Sequence, residues 1–146
     1  MSLITKIDAY IDQTDEAIEN LIESYVTKFF GDRTEDVVRI RRNIWTIQEE
    51  HYAFNIIITS LLVIFDAILF NELPENQHQF FEELLSLNAH QAKSSKLCLL
   101  KGTIHLRIIR GLEDFDYSEF AAHVEEYREI FPLMQESLLD KFYPDA

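Results

Sequence analysis

The chain is short of almost everything that interrupts regular structure. Its 146 residues include three Gly, three Pro, one Cys and one Trp. So few Gly and Pro leave few breaks, and long regular elements follow. The single Cys98 excludes an intrachain disulfide framework and fits a reducing compartment, so a cytoplasmic location is expected. Positive charge is also scarce: 13 Lys and Arg stand against 26 Asp and Glu, for a net charge of -13. Such a surface repels phosphate backbones and anionic lipid, so neither nucleic acid nor a membrane is an expected partner. The opening stretch MSLITKIDAYIDQTDE has no long apolar run and carries acids early, unlike a secretory signal. There is no internal repeat, low-complexity tract or linker, and one domain over residues 1–146 is expected.

Catalytic signatures are missing too. The histidines are His51, His78, His90, His105 and His123, and no two are three or four residues apart, so no helical metal pair exists. His78 and His90 bracket Glu82 and Glu83 on or near one helix. A carboxylate–histidine site is conceivable there, against the simpler reading of solvated polar residues. Gly31, Gly102 and Gly111 stand alone, which excludes a phosphate loop or a dinucleotide fingerprint. Cys98 lies between Leu97 and Leu99 in an expected strand and reads as a buried small residue rather than a nucleophile. The expectation is a non-enzyme with no catalytic, cofactor-binding or metal residues.

What the chain does have is AFNIIITSLLVIFDAILF, Ala53 to Phe70. A spanning helix needs about 20 apolar residues, and this stretch falls short. It carries Asp66 and a Thr59-Ser60 pair, and no Lys or Arg occurs anywhere from Asn43 to Gln91 to anchor it. Ile56, Ile57, Ile58, Val63 and Ile64 are β-branched and favour strands. Two strands, about Tyr52–Ile58 and Leu61–Phe70, turning at Thr59-Ser60, are predicted. Both faces of this hairpin are largely apolar. Either helices cover both, or one face meets another protein.

Elsewhere, Leu3–Phe30 reads as helix from the spacing of Ile4, Ile7, Ile11, Ile18, Leu21, Ile22, Tyr25 and Phe29, with Gly31 ending it and a possible break capped at Thr14. Val37–Gln48 reads as one strand with a bulge or bend at Asn43. Trp45 reads as core. The basic cluster Arg39, Arg41 and Arg42 reads as a charged strand edge, with an acidic partner segment or a phosphate as the functional alternative. Pro74 is placed at the first position of a middle helix that groups Phe80, Phe81, Leu84 and Leu85 on one side. Ser95–Leu100 and Thr103–Arg110 flank a tight turn at Lys101-Gly102. Asp116, with Glu119 three residues on, starts a helix carrying Phe120, Val124, Tyr127 and Phe131. Pro132 is expected to break that helix before a last one with Leu133, Leu138 and Leu139. The fold class is therefore α+β, an antiparallel sheet with helices in the order α-βββ-α-ββ-α.

This order resembles that of the class I type III secretion chaperones (the Tir-chaperone group) and the YbjN family. Local stretches also look like YbjN-type domains: WTIQ (Trp45–Gln48), AFNIII (Ala53–Ile58), LLVIFDAIL (Leu61–Leu69), the Leu73-Pro74 step with Asn76, LLSLN (Leu84–Asn88) and KLCLLKGTIHLRIIRGLEDFDYSEF (Lys96–Phe120). The similarity runs from about Trp45 to Val124. It implies a bacterial, non-enzymatic protein whose acidic homodimer holds a client or partner segment, with a YbjN-type regulatory or scaffolding subunit as the alternative. Surplus apolar surface points to a two-fold homodimer built on the middle helix and a strand, with Phe80, Phe81, Leu84, Ile57 and Ile64 as interface residues.

Overall fold

The computed structural model describes residues 15–31, 35–91 and 93–144. Thr14 and the first part of the helix expected from Leu3 lie outside them. The described residues form helices α1 (Glu16–Phe30), α2 (Gln77–His90) and α3 (Tyr117–Phe142). Their strands are β1 (Val37–Arg41), β2 (Ile44–Gln48), β3 (Ala53–Ile58), β4 (Leu62–Phe70), β5 (Lys96–Leu100) and β6 (Thr103–Gly111). The strands make one antiparallel sheet in the order β1-β2-β3-β4-β6-β5, so the α+β class holds. The expected order holds with one refinement. The strand expected over Val37–Gln48 doubles back as β1 and β2, and four strands precede α2.

The turn between β1 and β2 needs neither Gly nor Pro. Asn43 is buried and fastened from a distance: its Nδ2 donates to Ile58 O (3.1 Å), and its own carbonyl accepts from Ile58 N (3.0 Å). Asn is itself a common turn residue, and these two bonds fix the reversal at this one.

The chain divides into two compact units. One comprises Met1–Asp66 with Ile109–Ala121, the other Ala67–Ile108 with Ala122–Ala146.

In the first unit, α1 begins where the Asp15 side chain accepts from Ala17 N (2.8 Å), and Glu16 and Glu19 occupy its positive end. It ends at Gly31, whose φ of 61° suits a residue without Cβ and whose N–H bonds Thr27 O. Ile22, Val26 and Phe30 form its buried stripe. One face of the strands lies beneath it. Trp45, Ile47, Phe54, Ile56, Ile58, Val63 and Phe65 are all buried, so Trp45 is core as expected. Trp45 Nε1 donates to Glu23 of α1. Phe120, at the start of α3, meets Tyr25, Phe29 and Phe65 ring to ring. Asp116 accepts from Glu119 N (2.8 Å), the expected cap. Glu119 does not close the other half of that box, because its carboxylate takes both Nε and Nη2 of Arg110 instead.

In the second unit, β5 and β6 meet at Lys101-Gly102, with φ of 50° and 82°. Two positive φ values in a two-residue loop match the right-handed strand twist, and Gly102 takes one of them without strain. Leu97, Ile104, Leu106 and Ile108 form the buried side of this hairpin. Tyr127 of α3 donates its hydroxyl proton to Leu106 O (2.7 Å). Helix α2 starts at Gln77 rather than Pro74, which lies in the loop before it. Phe80, Leu84 and Leu87 are its buried side; Phe81 is half-buried and Leu85 exposed, so the expected four-residue face splits in two.

Pro132 does not break α3. The helix runs from Tyr117 to Phe142 without interruption. Phe120, Val124, Tyr127, Phe131, Met134 and Leu138 recur at four- and three-residue steps, and all are buried. This continuous stripe offsets the lost hydrogen bond. Pro132 itself is exposed on the outer side of the helix, at a position with no N–H to donate. Leu133, expected among the inner residues, faces solvent.

Candidate functional site

In the first unit the strands have a second face. Register places Val38 opposite Thr46, Thr46 opposite Asn55, and Ile44 opposite Ile57, so these side chains share the side away from Trp45. Toward β4 this side is closed: Ile64 and Asp66 are buried. Toward β1 it is open. Val38 is 51% and Ile40 55% exposed, and Ile44 and Ile57 are half-buried. Its polar positions satisfy one another, with Thr46 Oγ1 donating to Asn55 Oδ1 at 2.7 Å. No residue of β1, β2 or β3 is acidic, in a chain with 26 Asp and Glu.

The free edge beside this face is β1. The bond from Gln48 N to Asp36 O (2.7 Å) fixes the phase of the ladder, so the backbone groups of Val37 and Arg39 point outward. A register shift between Arg39 and Arg41 then bends the strand. The Arg39 guanidinium lies over the Trp45 ring (4.8 Å to the centroid) and donates to Arg42 O. Arg42 reaches the buried Glu19 carboxylate at 2.9 Å. Two of the three arginines are thus held by this chain, and the charged-edge reading of the cluster fits.

The second unit closes its own edge by another route. Strand β5 ends the sheet. The turn at Lys101-Gly102 sets the ladder phase, so Leu97 presents its N–H and C=O outward. Asn88 of α2 takes both. Its Oδ1 accepts from Leu97 N (2.7 Å) and its Nδ2 donates to Leu97 O (3.1 Å), as a neighbouring strand would. Just before β5, Glu126 of α3 accepts from Ser94 N (3.1 Å) and Ser95 N (2.8 Å). Burial pulls the Glu126 pKa up, but the bonds from Ser95 and Ser94 outweigh it and hold the group below the ordinary glutamate value.

The expected interface residues divide. Phe80, Leu84 and Ile64 are buried within the chain and present nothing to a second copy. The sequence pattern makes them apolar but does not say which element covers them; Phe80, for example, packs edge-on against Phe70 and Phe142. Phe81 and Ile57 keep part of their surface. Val38 and Ile40, which the sequence reading put on one side of a strand but not at an interface, are more exposed than either.

The other candidates do not gather into a reacting centre. His78 meets Glu82 at 3.0 Å with both side chains largely in water, and Glu83 is held by Lys141 at 3.0 Å. Cys98 is half-buried rather than buried. A depression of about 540 Å³ is lined in part by Glu72, Glu75, Gln79 and Tyr143, and by no His or Cys. Among the described residues no group of three or more metal-binding side chains occurs, and no helix is long and apolar enough to cross a membrane. Compared with known protein families and with curated proteins, the sequence matches none.

Proposed function

We propose that this chain is a non-enzymatic protein-binding module of the cytoplasm, acting as an acidic homodimer that holds a client or partner segment in a chaperone-like way. One observation carries the reading: the side of β1–β3 away from α1 keeps Val38, Ile40, Ile44 and Ile57 partly or largely in solvent. Contiguous exposed apolar surface on a soluble chain marks an interaction site more often than an accident. The absence of acids from those strands, in so acidic a chain, also supports it. Resemblance to the YbjN and secretion-chaperone layout points the same way.

The test is affinity capture of the tagged protein from its native cytosol at several salt concentrations, followed by an aggregation assay on whatever is recovered. A discrete protein partner, kept soluble by the module, is the expected outcome. Recovery of the protein alone at every salt concentration contradicts the reading.

A further inference from the structure

We propose that Cys98 is a modification site: a half-buried thiol, activated by His105, that forms a reversible mixed disulfide with a small anionic disulfide. This is a stoichiometric modification rather than turnover, and it does not rest on the proposed function. It stands on a nucleophile, a base and an orienting group gathered on the outer side of β5–β6, away from Leu97 and Leu106.

Register sets Cys98 directly opposite His105. With Leu97 turned outward, Cys98 and His105 form a hydrogen-bonded pair of the ladder, their Cα atoms about 5.5 Å apart and their side chains on one face. A thiol and an imidazole at that spacing are within reach of each other, directly or through one water. Thr103 decides which ring nitrogen is the base. Its Oγ1 has one proton and donates it to Leu100 O at 2.6 Å. The same oxygen lies 2.8 Å from His105 Nε2, where it must accept. The ring proton therefore sits on Nε2, and Nδ1 is the basic nitrogen of the neutral imidazole. A nucleophile, a base and a third group that orients the base form the arrangement that activates a thiol. The Cys98 thiol meets Lys96 O at 3.5 Å, a weak bond that does not hold its proton.

Charge on this side assists. Neither β5 nor β6 contains an acid. Lys96 and Arg107 face each other two residues further along the same side. Lys96 bonds a neutral carbonyl, Asn88 O at 3.1 Å, and so keeps its charge. The stretch of β4 in this unit, Ala67–Phe70, has no ionisable group. Cations beside a thiol favour its thiolate. They also select the reagent, because a disulfide bearing carboxylates is drawn to them although the whole chain, at -13, repels it.

In the step itself the Sγ proton passes to His105 Nδ1. Sγ bonds one sulfur of the small disulfide, the old S–S bond breaks, and the departing thiolate takes the proton from the imidazolium. Cys98 is oxidised to the mixed disulfide, one small thiol is released, and the disulfide is the only oxidant needed. A second small thiol reverses the exchange.

Cys98 is the single cysteine, so every thiol signal belongs to it. The experiment follows mixed-disulfide formation on the full chain by intact mass against pH. The probes are glutathione disulfide, neutral hydroxyethyl disulfide and cationic cystamine, with the urea-unfolded chain as reference. The folded chain should reach half its maximal rate at least about one pH unit below the ~8.5 of an ordinary cysteine. Relative to the unfolded chain it should favour glutathione disulfide over cystamine by about threefold or more. That preference should fade near 1 M salt, where the Debye length is about 3 Å. With folding confirmed by circular dichroism, His105→Gln should move the midpoint up toward that of the unfolded chain. Thr103→Val should move it part of the way, and Lys96→Gln should weaken the preference for glutathione disulfide.

A midpoint at or above that of the unfolded chain overturns the proposal. So does a folded chain that cystamine modifies and glutathione disulfide does not. A folded His105→Gln variant with an unmoved midpoint overturns it as well. The first two readings use the unmodified protein, so the test stands even where a variant fails to fold.

Discussion

Two antiparallel hairpins in this protein are built alike and finished differently. In the first unit β1–β2 buries Trp45 and Ile47; in the second β5–β6 buries Leu97, Ile104 and Leu106. Each lies at one end of the strand order of the described sheet. The side of β5–β6 away from its core carries Lys96, Cys98, His105 and Arg107 beside Leu100 and the exposed Ile109, and Thr103 Oγ1 bonds His105 Nε2 at 2.8 Å. The corresponding side of β1–β2 carries Val38, Thr46 and Ile44, with Arg41 opposite Ile44. Their edges differ as well. A helix side chain imitates a strand on Leu97, whereas β1 is closed by its own bulge and arginines. Both hairpins keep exposed apolar side chains, Leu99 and Ile109 on the second and Val38 and Ile40 on the first; they differ in what serves their edges.

The inner faces should respond alike. Trp45→Ala should cost about 3–5 kcal/mol and Leu106→Ala about 2–5 kcal/mol, read from urea midpoints, because both residues are fully buried. A much smaller loss at Trp45 would mean that the first hairpin is less settled than the second.

The edges should respond differently. Asn88→Ala leaves the outward N–H and C=O of Leu97 without their partner, for a loss of about 1–2 kcal/mol. It should also create concentration-dependent self-association seen by light scattering, since a bare edge is a template for pairing. Arg41→Ala, at an edge closed by other means, should do neither.

Glu126→Gln sharpens the second hairpin further. The folded pKa of this group is lowered, so its contribution is present above the unfolded value of about 4.3 and is lost as pH falls through the folded value. The variant should lose up to about 1 kcal/mol near neutral pH, and its stability should depend less on pH in the acid range. Equal acid sensitivity of both proteins would assign that dependence to other carboxylates. The smallest effect expected is at the open side: Val38→Thr should leave monomer stability within about 0.5 kcal/mol, as for an ordinary surface site.

The sequence displayed some of this and hid the rest for physical reasons. The Ala53–Phe70 hairpin was legible because β-branched residues crowd it, and Lys101-Gly102 and Asp116 because turn and cap chemistry is local. The reversal at Arg42-Asn43 was not, since what fixes Asn43 is a pair of bonds to Ile58, fifteen residues away. Continuity through Pro132 depends on packing over the whole of α3, which outweighs a local breaker. Phe80 and Phe81 are adjacent and chemically identical, and only the placement of α2 decides that one is core. Asn88 looked like an ordinary helix residue, and its role exists only once Leu97 is beside it. The open side of β1 was half visible, as apolar residues alternating with arginines, but which side lay uncovered depended on where α1 settles.

The most direct test is hydroxyl-radical footprinting of side chains at low and high protein concentration, read at both hairpins in one experiment. The account predicts that Val38, Ile40, Ile44 and Ile57 become protected as concentration rises, while Leu99 and Leu100 of β5 do not change. Protection confined to β5, or no protection at either hairpin, would contradict it.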